Sequence, residues 1–229
     1  MALVESSNAV ERTIIGDVWS DETYKEPIVD IQHLDGFDGS SGNSNLLIAS
    51  PYESLSHLLD LDTLEIQHQL FAKALTNLQA VRSDYTTAPY DVSFNWDAVV
   101  DSYRQSIAAA NVQAEVPSEQ SFFVIVFRSQ LKEGADKERL GQHDELAHEE
   151  AVVSGGLLKY WFGVAGTDRR NLATCLWRSR NEARSGGTGP GHVAAMQFAR
   201  RSYDEWFVQM LRLTVDTISG KWTFSEWVD

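Results

Sequence analysis

The residues best suited to chemistry are grouped in the segment HDELAHEE, residues 143–150. If this segment is helical, Asp144 precedes His148 by one helical turn, and its carboxylate can orient the imidazole. Such an ion pair raises the pKa of a histidine toward neutral pH, where it can act as a general base. His143 lies at the other edge of the same helix face. The spacing is also that of an ordinary i,i+4 pair on a partly solvated helix, so both interpretations stay open.

The same histidines do not form a metal-binding motif. His143 and His148 are separated by about 140° around a helix, whereas the two histidines of an HExxH motif share one face. His192 could complete a site only through the way the chain folds. We therefore expect no metal ion, and we expect no other cofactor.

Aromatic and basic residues on predicted strands are candidates for binding a ligand. Tyr160 and Trp161 are adjacent, so alternation sends them to opposite faces of the sheet, and the same holds for Trp177 and Arg178. One member of each pair should therefore point away from the helices. The expected roles are substrate binding for Trp161, Trp177 and Arg178, and proton donation for Tyr160.

Arg128 lies at the end of a strongly apolar strand. A guanidinium in such a place needs an anionic or carbonyl partner, so Arg128 is expected in a pocket. There it, or Arg178, could polarise a substrate carbonyl while His148 or His143 acts as base. This gives a set of residues for acid–base chemistry without a cofactor.

The glycine-rich run GGTGPG, residues 186–191, lies between a predicted strand and a predicted helix. Its spacing and Pro190 depart from GxGxxG, and the surrounding element order lacks βαβ units, which argues against a dinucleotide site. Backbone N–H groups at this helix start could still hold a carboxylate or phosphate, with His192 as a binding residue. The arginines close to it in sequence are Arg178, Arg180 and Arg184. A plain loop is the alternative.

The elements that must position these residues form an α+β domain. Its predicted order is strand, helix, strand, strand, helix, strand, followed by one more strand. This is the ferredoxin-like pattern, an antiparallel sheet with both helices on one face. The predicted strands are 121–128, 157–163, 171–179, 208–215 and 221–227, and the predicted helices are 136–153 and 190–207.

Three regions are predicted along the chain. Residues 1–50 are rich in Gly, Ser and Asp and are expected to be a poorly ordered acidic arm, with at most a short strand at 27–31. Residues 51–118 are expected to be a helical extension that packs on the core, and residues 119–229 the ferredoxin-like domain.

The helical extension is predicted to contain helices at 64–81 and 96–110, in which His57 and His68 are expected to be ordinary surface or core residues. Two such helices have too little apolar surface to fold alone, so they should pack on the sheet. Either they or a partner subunit would close its second face. A partner there would give a dimeric α/β barrel and a homodimer, and a ligand cavity would lie at the covered face.

Charge and composition narrow the classes of partner. The net charge of the chain is −14, and the first 120 residues account for it. They contain five Lys/Arg and nineteen Asp/Glu. An acidic chain without a basic tail is repelled by phosphate backbones and by anionic membranes, so we expect neither as a partner. No secretory signal or membrane span is visible in the sequence, and Cys175 is the lone cysteine, which together predict a cytoplasmic protein.

Three stretches resemble an uncharacterised family of fungal proteins. They are DYTTAPYDVSFNWDAVV (84–100), FFVIVFRSQLKEGADKERLGQHDELAHEEAVVSGGLLKYWFG (122–163) and RNLATCLWRSRNEARSGGTGPGH (170–192). The resemblance extends from about residue 80 to the C-terminus, and it brings no catalytic residues with it because the family's function is not established. The element order also resembles the dimeric α/β barrel superfamily, which includes cofactor-free monooxygenases, polyketide cyclases and haem-degrading enzymes. That likeness implies a fold and licenses little about chemistry.

Three functions follow as hypotheses. The first is a cofactor-independent enzyme that acts on a small aromatic or polyketide-like molecule by proton transfer, giving cyclisation, isomerisation or elimination. The second is a cofactor-free monooxygenase that uses the same cavity, and oxygen uptake would separate the two. The third is a non-catalytic small-molecule binding or interaction protein, which predicts a filled sheet face and solvated histidines.

Overall fold

The computed structural model describes residues 45–228. The acidic arm and the short strand predicted within residues 1–50 therefore lie almost entirely outside the described residues. Two short 3₁₀ helices, Leu55–His57 and Leu61–Thr63, accompany the regular elements. In chain order the regular elements are β1 (Leu46–Leu47), β2 (Leu59–Asp60), α1 (Ile66–Leu75), α2 (Tyr90–Ser93), α3 (Trp96–Ala110), β3 (Glu119–Leu131), α4 (Lys137–Ser154), β4 (Leu157–Phe162), β5 (Arg170–Trp177), α5 (Arg180–Gly186), α6 (Pro190–Ser202), β6 (Tyr203–Asp216) and β7 (Trp222–Glu226).

A five-stranded antiparallel sheet with the order β4-β5-β3-β6-β7 organises this part of the chain. Strand β3 is at its centre, and α4 connects it to β4, on the far side of β5. The order β3-α4-β4-β5-α6-β6 with β7 added at the edge is the predicted ferredoxin-like arrangement. The α+β fold class is thus confirmed.

The central position of β3 follows from its apolar run SFFVIVFR, residues 121–128. Phe122, Val124 and Val126 have no exposed surface, and Phe123 on the other face is also buried. A strand with β-branched and aromatic side chains on both faces is stable only with cover on both sides. It is the strand around which the two layers of the protein pack.

Helices α1 and α3 close one face of the sheet within the same chain. Phe71 of α1 stacks on Phe122 at a ring-centroid distance of 4.0 Å and meets Tyr103 of α3 edge-on at 5.1 Å. Trp96, at the start of α3, is 1% exposed in the same core. Of the two ways foreseen to close this face, the structure shows the one that uses the N-terminal helices.

Helices α4, α5 and α6 lie on the other face. Their smaller core joins Ala151 of α4 and Ala183 of α5 to Phe123, Leu157 and Trp177 of the sheet. Most residues of α6 keep some accessible surface, and Ser202 is its buried residue. This layer is packed less tightly than the layer formed by α1 and α3.

One helix ends earlier than the sequence predicts, and one helix was not predicted. The helix predicted for 190–207 ends at Ser202, because Tyr203 adopts an extended conformation and β6 pairs with β3 up to Tyr203↔Leu131. Pairing with the central strand prevails over the helical pattern of the last five residues. Helix α5 was missed, although Ser179 is its N-cap and accepts from the Glu182 N–H.

The helix predicted for 64–81 is likewise shorter. It ends at Leu75 because the chain then turns to run beside residues 93–95: Ala80 bridges Phe94, and the Val81 N–H donates to the Ser93 carbonyl. The second predicted helix, Trp96–Ala110, is confirmed with both boundaries. Within residues 45–228, no helix combines the length and apolar character needed to cross a bilayer.

Candidate functional site

Helix α4 presents the predicted chemical residues to the interior. Asp136 caps its N-terminus by accepting from the Arg139 N–H, and the chain leaves it through Gly155 and Gly156, which have positive φ angles. The helix buries Ala147, His148 and Ala151. His148, at 5% exposure, is therefore an interior histidine and not a surface one.

Asp144 is held between two tyrosines. One carboxylate oxygen accepts from the Tyr160 hydroxyl of β4 at 2.7 Å, and the other accepts from the Tyr52 hydroxyl, in the segment that follows β1, at 2.6 Å. Charge-assisted O–H···O bonds have such short lengths. Asp144 thus connects the segment after β1, helix α4 and strand β4 through hydrogen bonds.

The electrostatics of this point are set by burial. Burial raises the pKa of Asp144 above the usual aspartate range, although both tyrosine hydrogen bonds oppose the shift. Burial and the neighbouring carboxylate raise the pKa of Tyr52 and of Tyr160, so both phenols stay protonated. Asp144 and Tyr160 nevertheless keep accessible surface. Both side chains therefore keep some contact with solvent.

A pair of buried histidines lies beside the carboxylate. The Nδ1 atoms of His57 and His148 are 2.8 Å apart, and His57 is 2% exposed. The Tyr52 ring lies against both imidazoles, at centroid distances of 4.9 and 5.2 Å, and the Tyr160 ring is 5.3 Å from that of His148. We call Tyr52, His57, Asp144, His148 and Tyr160 the Asp144 cluster.

The pairing inside the cluster differs from the one expected. Asp144 was predicted to support His148 and to raise its pKa, but both carboxylate oxygens accept from tyrosines, and His148 Nδ1 faces His57. Burial, followed by the neighbouring His57, lowers the pKa of His148 to about 3. His148 is therefore a neutral imidazole at physiological pH.

The glycine-rich run holds a carboxylate, and the carboxylate belongs to the protein. The N–H groups of Gly191 and His192, at the start of α6, donate to the two oxygens of Glu150 at 2.7 and 2.8 Å. A Cβ at Gly189 would collide with this carboxylate. The run therefore joins α6 to α4, and the anion foreseen at this helix start is an internal one.

Of the predicted binding residues, His192 is the one that interacts electrostatically with Asp144. Burial lowers its pKa, while the carboxylates of Glu150 and Asp144 oppose that shift. Its Nδ1 is buried without a hydrogen-bond partner in the structure. It extends the polar region from the Asp144 cluster toward α6.

Arg128 and Trp161 lie on the opposite face of the sheet. Arg128 donates to the carbonyls of Thr86, of Tyr85 at 3.1 Å and of Ala88 at 2.7 Å, which fixes the loop before α2. Trp161 meets Phe94 edge-on at 5.0 Å. The structure does not bring these two residues to Asp144.

Three more predicted residues are placed elsewhere on the α4 side or at its rim. Arg178 bridges Glu65 and Glu182. Trp177 is buried where α5 covers the sheet, and the His143 ring lies 4.8 Å from that of Phe198. Their proposed roles stay predictions.

Tyr52 and His57 were missed as members of the site. Each lies about 90 residues from its partner on α4, and no local pattern signals so distant a contact. The one available signal was the pairing of a tyrosine and a histidine in a short segment of otherwise weak periodicity. Among residues 45–228, no group of three or more His, Cys, Asp or Glu side chains is arranged to hold a metal ion.

Comparison with known proteins places the chain in a family. The model of the PB2B2.08-like family matches residues 48–226. The UPF0643 protein PB2B2.08 of Schizosaccharomyces pombe is 32% identical over 182 residues, which are 76% of this chain and 80% of that protein.

The matches to solved structures are partial. Rv0793 of Mycobacterium tuberculosis has a TM-score of 0.35 at 12% identity, over 39% of this chain and 92% of its own. A dimeric ferredoxin-like protein of unknown function from Thermobifida fusca has a TM-score of 0.32 at 11% identity, over 40% and 90%. The strand order, and not these scores, defines the fold. The match over residues 48–226 makes this chain a member of the PB2B2.08-like family.

Proposed function

We propose that the protein is a cofactor-independent enzyme that moves protons on a small aromatic or polyketide-like molecule. The observation that carries the proposal is the Asp144 carboxylate held between the Tyr52 and Tyr160 hydroxyls, beside the ring of Phe162. A general acid or base works best when its pKa lies near the operating pH, and burial moves the pKa of Asp144 in that direction.

Asp144 is assigned the role of general base. Each of its oxygens accepts one tyrosine hydrogen bond and keeps a second lone pair, which can take a proton from a substrate carbon or hydroxyl. Once Asp144 is neutral, its hold on the Tyr160 hydroxyl weakens. That hydroxyl can then donate to the oxygen of an enolate or phenolate, as a fixed donor that stabilises developing charge.

The surroundings fit an uncharged, ring-bearing substrate. Tyr52, Tyr160 and Phe162 form a continuous aromatic wall with ring-centroid distances of 5.7 to 6.0 Å. His148, neutral because burial lowers its pKa, adds a second acceptor without adding charge. The reactions that such a site supports are cyclisation, isomerisation and elimination.

The test is a search for a ligand followed by turnover. Aromatic and polyketide-like compounds are screened by thermal shift against wild type, Asp144→Asn and, as a control, Asp91→Asn, which changes an exposed aspartate on α2. Products of the hits are identified by mass spectrometry. We expect Asp144→Asn to keep binding and to lower kcat by about 10²- to 10⁴-fold, with Asp91→Asn unchanged.

The other hypotheses give different results in the same experiment. Oxygen consumption that matches product formation would make the protein a monooxygenase. Binding without turnover in every variant would make it a binding protein, and equal turnover in wild type and Asp144→Asn would remove Asp144 from the chemistry. A homodimer in the cytoplasm stays part of the proposal, and sedimentation of the purified protein checks the oligomeric state.

A further inference from the structure

We propose that Glu145, His57 and His148 form a proton relay that connects the Asp144 cluster with solvent, and that His148 is unprotonated on Nε2. The relay role rests on the proposed function. The protonation pattern rests on geometry alone and can be measured without a substrate.

The contact between the two imidazoles requires opposite tautomers. Two nitrogen atoms 2.8 Å apart form a hydrogen bond only if one carries a proton and the other offers a lone pair. Two neutral rings meet this condition when one histidine is protonated on Nδ1 and the other on Nε2. Two bare nitrogens, or two N–H groups, would repel at this distance.

The position of Glu145 favours one of the two assignments. Its Oε1 lies 3.7 Å from Nε2 of His57, on the side away from His148. A carboxylate favours a proton on the nitrogen that faces it, so His57 carries its proton on Nε2 and accepts through Nδ1. His148 must then donate from Nδ1, which leaves its Nε2 as a free lone pair.

The first of the three groups lies at the surface and the two histidines are buried. The Glu145 side chain is 53% exposed, the His57 side chain is 2% exposed, and the His148 residue is 5% exposed. The other titratable groups around the pair are Tyr52 from the N-terminal segment, Asp144 on α4 and Tyr160 on β4. Both tyrosines are committed to Asp144, so among these groups the histidine pair is the route to Glu145.

Proton transfer along this line balances. When Nε2 of His148 accepts a proton from the site, its Nδ1 proton passes to Nδ1 of His57, and the Nε2 proton of His57 passes to water, or through a water molecule to Glu145. One proton has then left the site, and no electron has moved. The reverse sequence restores the starting tautomers and returns a proton to the product.

The first experiment records side-chain ¹H–¹⁵N correlations of the full-length protein labelled with ¹⁵N-histidine at neutral pH. The signals of His57 and His148 are assigned with His57→Gln and His148→Gln. We expect His148 protonated on Nδ1 and His57 protonated on Nε2. Protonation of His148 on Nε2 would overturn the proposal.

Glu145→Gln tests the cause of that pattern, with Glu149→Gln as its matched control on the same helix. Loss of the carboxylate should leave both rings as mixtures of the two tautomers, whereas Glu149→Gln should keep the wild-type pattern. An unchanged pattern in Glu145→Gln would show that Glu145 does not orient the pair.

A second experiment tests transfer itself once a substrate is known. We expect His57→Gln to lower kcat by about tenfold or more without raising KM, and added imidazole to restore part of the rate. A purely structural role would give no rescue. If no substrate turns over, the proposed function fails while the tautomer measurement still decides the protonation pattern.

Discussion

The two faces of the central sheet are built by the same strands and have opposite properties. On the face under α1 and α3, Phe122, Leu172 and Leu213 have no accessible surface. On the face under α4 and α6, Ile125, Phe127 and Tyr160 keep some, and a carboxylate, two phenols and two imidazoles occupy the interior. Because side chains alternate along a strand, one sequence can build a stabilising layer and a chemical layer at once.

The two faces contribute differently: one mainly stabilises the fold, and the other carries the candidate chemical residues. The closed face gains from burial of apolar area, which is the main favourable term in folding. On the other face, desolvation disfavours the charged forms of the Asp144 carboxyl and the His148 imidazole. Changes on the closed face should therefore unfold the protein, and changes in the Asp144 cluster should alter its chemistry with little loss of stability.

Phe122→Ala is expected to have the largest effect on the free energy of unfolding. The side chain is fully buried and stacks on Phe71, so its removal leaves a cavity between the sheet and α1. We expect the free energy of unfolding to fall by about 3 to 5 kcal/mol, measured by urea denaturation followed by tryptophan fluorescence. Val164→Ala, at an 87% exposed residue, is the control and should stay within about 0.5 kcal/mol of wild type. A loss as small for Phe122→Ala would mean that the closed face is not the stabilising one.

The second effect concerns Arg128 on the same face. Its guanidinium donates to three carbonyls of the loop before α2, and Arg128→Met would remove all three hydrogen bonds. We expect a loss of about 2 to 3 kcal/mol and faster proteolysis in residues 82–89. Arg128→Lys should recover only part, because an ammonium group cannot reproduce the planar fork. Intact protection of this loop in Arg128→Met would contradict an anchoring role.

Much of this arrangement could be predicted from the sequence because it depends on local patterns. The apolar run 121–128 identified the central strand, and the apolar periodicity after Asn95 gave both ends of α3. The element order gave the ferredoxin-like fold. These features follow from burial and backbone hydrogen bonding within a few residues, which a sequence displays directly.

The site could be predicted only in part because its contacts are not local. Asp144, His148 and Tyr160 were recognised as chemical residues, but Tyr52 and His57 come from a segment without strong periodicity. The end of α6 at Ser202 was missed for the same reason, since β6 is extended by pairing with β3, about 75 residues away at that point. Arg128 was expected to lie in a ligand pocket. Its guanidinium instead donates hydrogen bonds to backbone carbonyls of the protein.

Glu150→Gln, on the face covered by α4 and α6, should have a smaller effect on the free energy of unfolding. The amide keeps one acceptor for the N–H groups of Gly191 and His192 but turns a donor toward the other. We expect a loss of about 1 kcal/mol and faster amide hydrogen exchange at the start of α6. Exchange in α3, on the closed side, should not change and serves as the reference. Equal acceleration in both helices would mean that the two layers do not open separately.

The smallest effect is expected from Asp144→Asn, and its sign separates a chemical residue from a stabilising one. Burial raises the pKa of Asp144 in the folded protein above its unfolded value, so its contribution is present below the unfolded pKa and is lost as the pH rises through the folded pKa. Asparagine stays neutral and can still pair with both tyrosine hydroxyls. Asp144→Asn should therefore match wild type near pH 3 and become more stable at pH 7, by about 0.5 to 1 kcal/mol, in urea denaturation measured across this pH range. A variant less stable than wild type at pH 7 would show that the ionised carboxylate holds the fold together, and the division of labour between the two faces would be wrong.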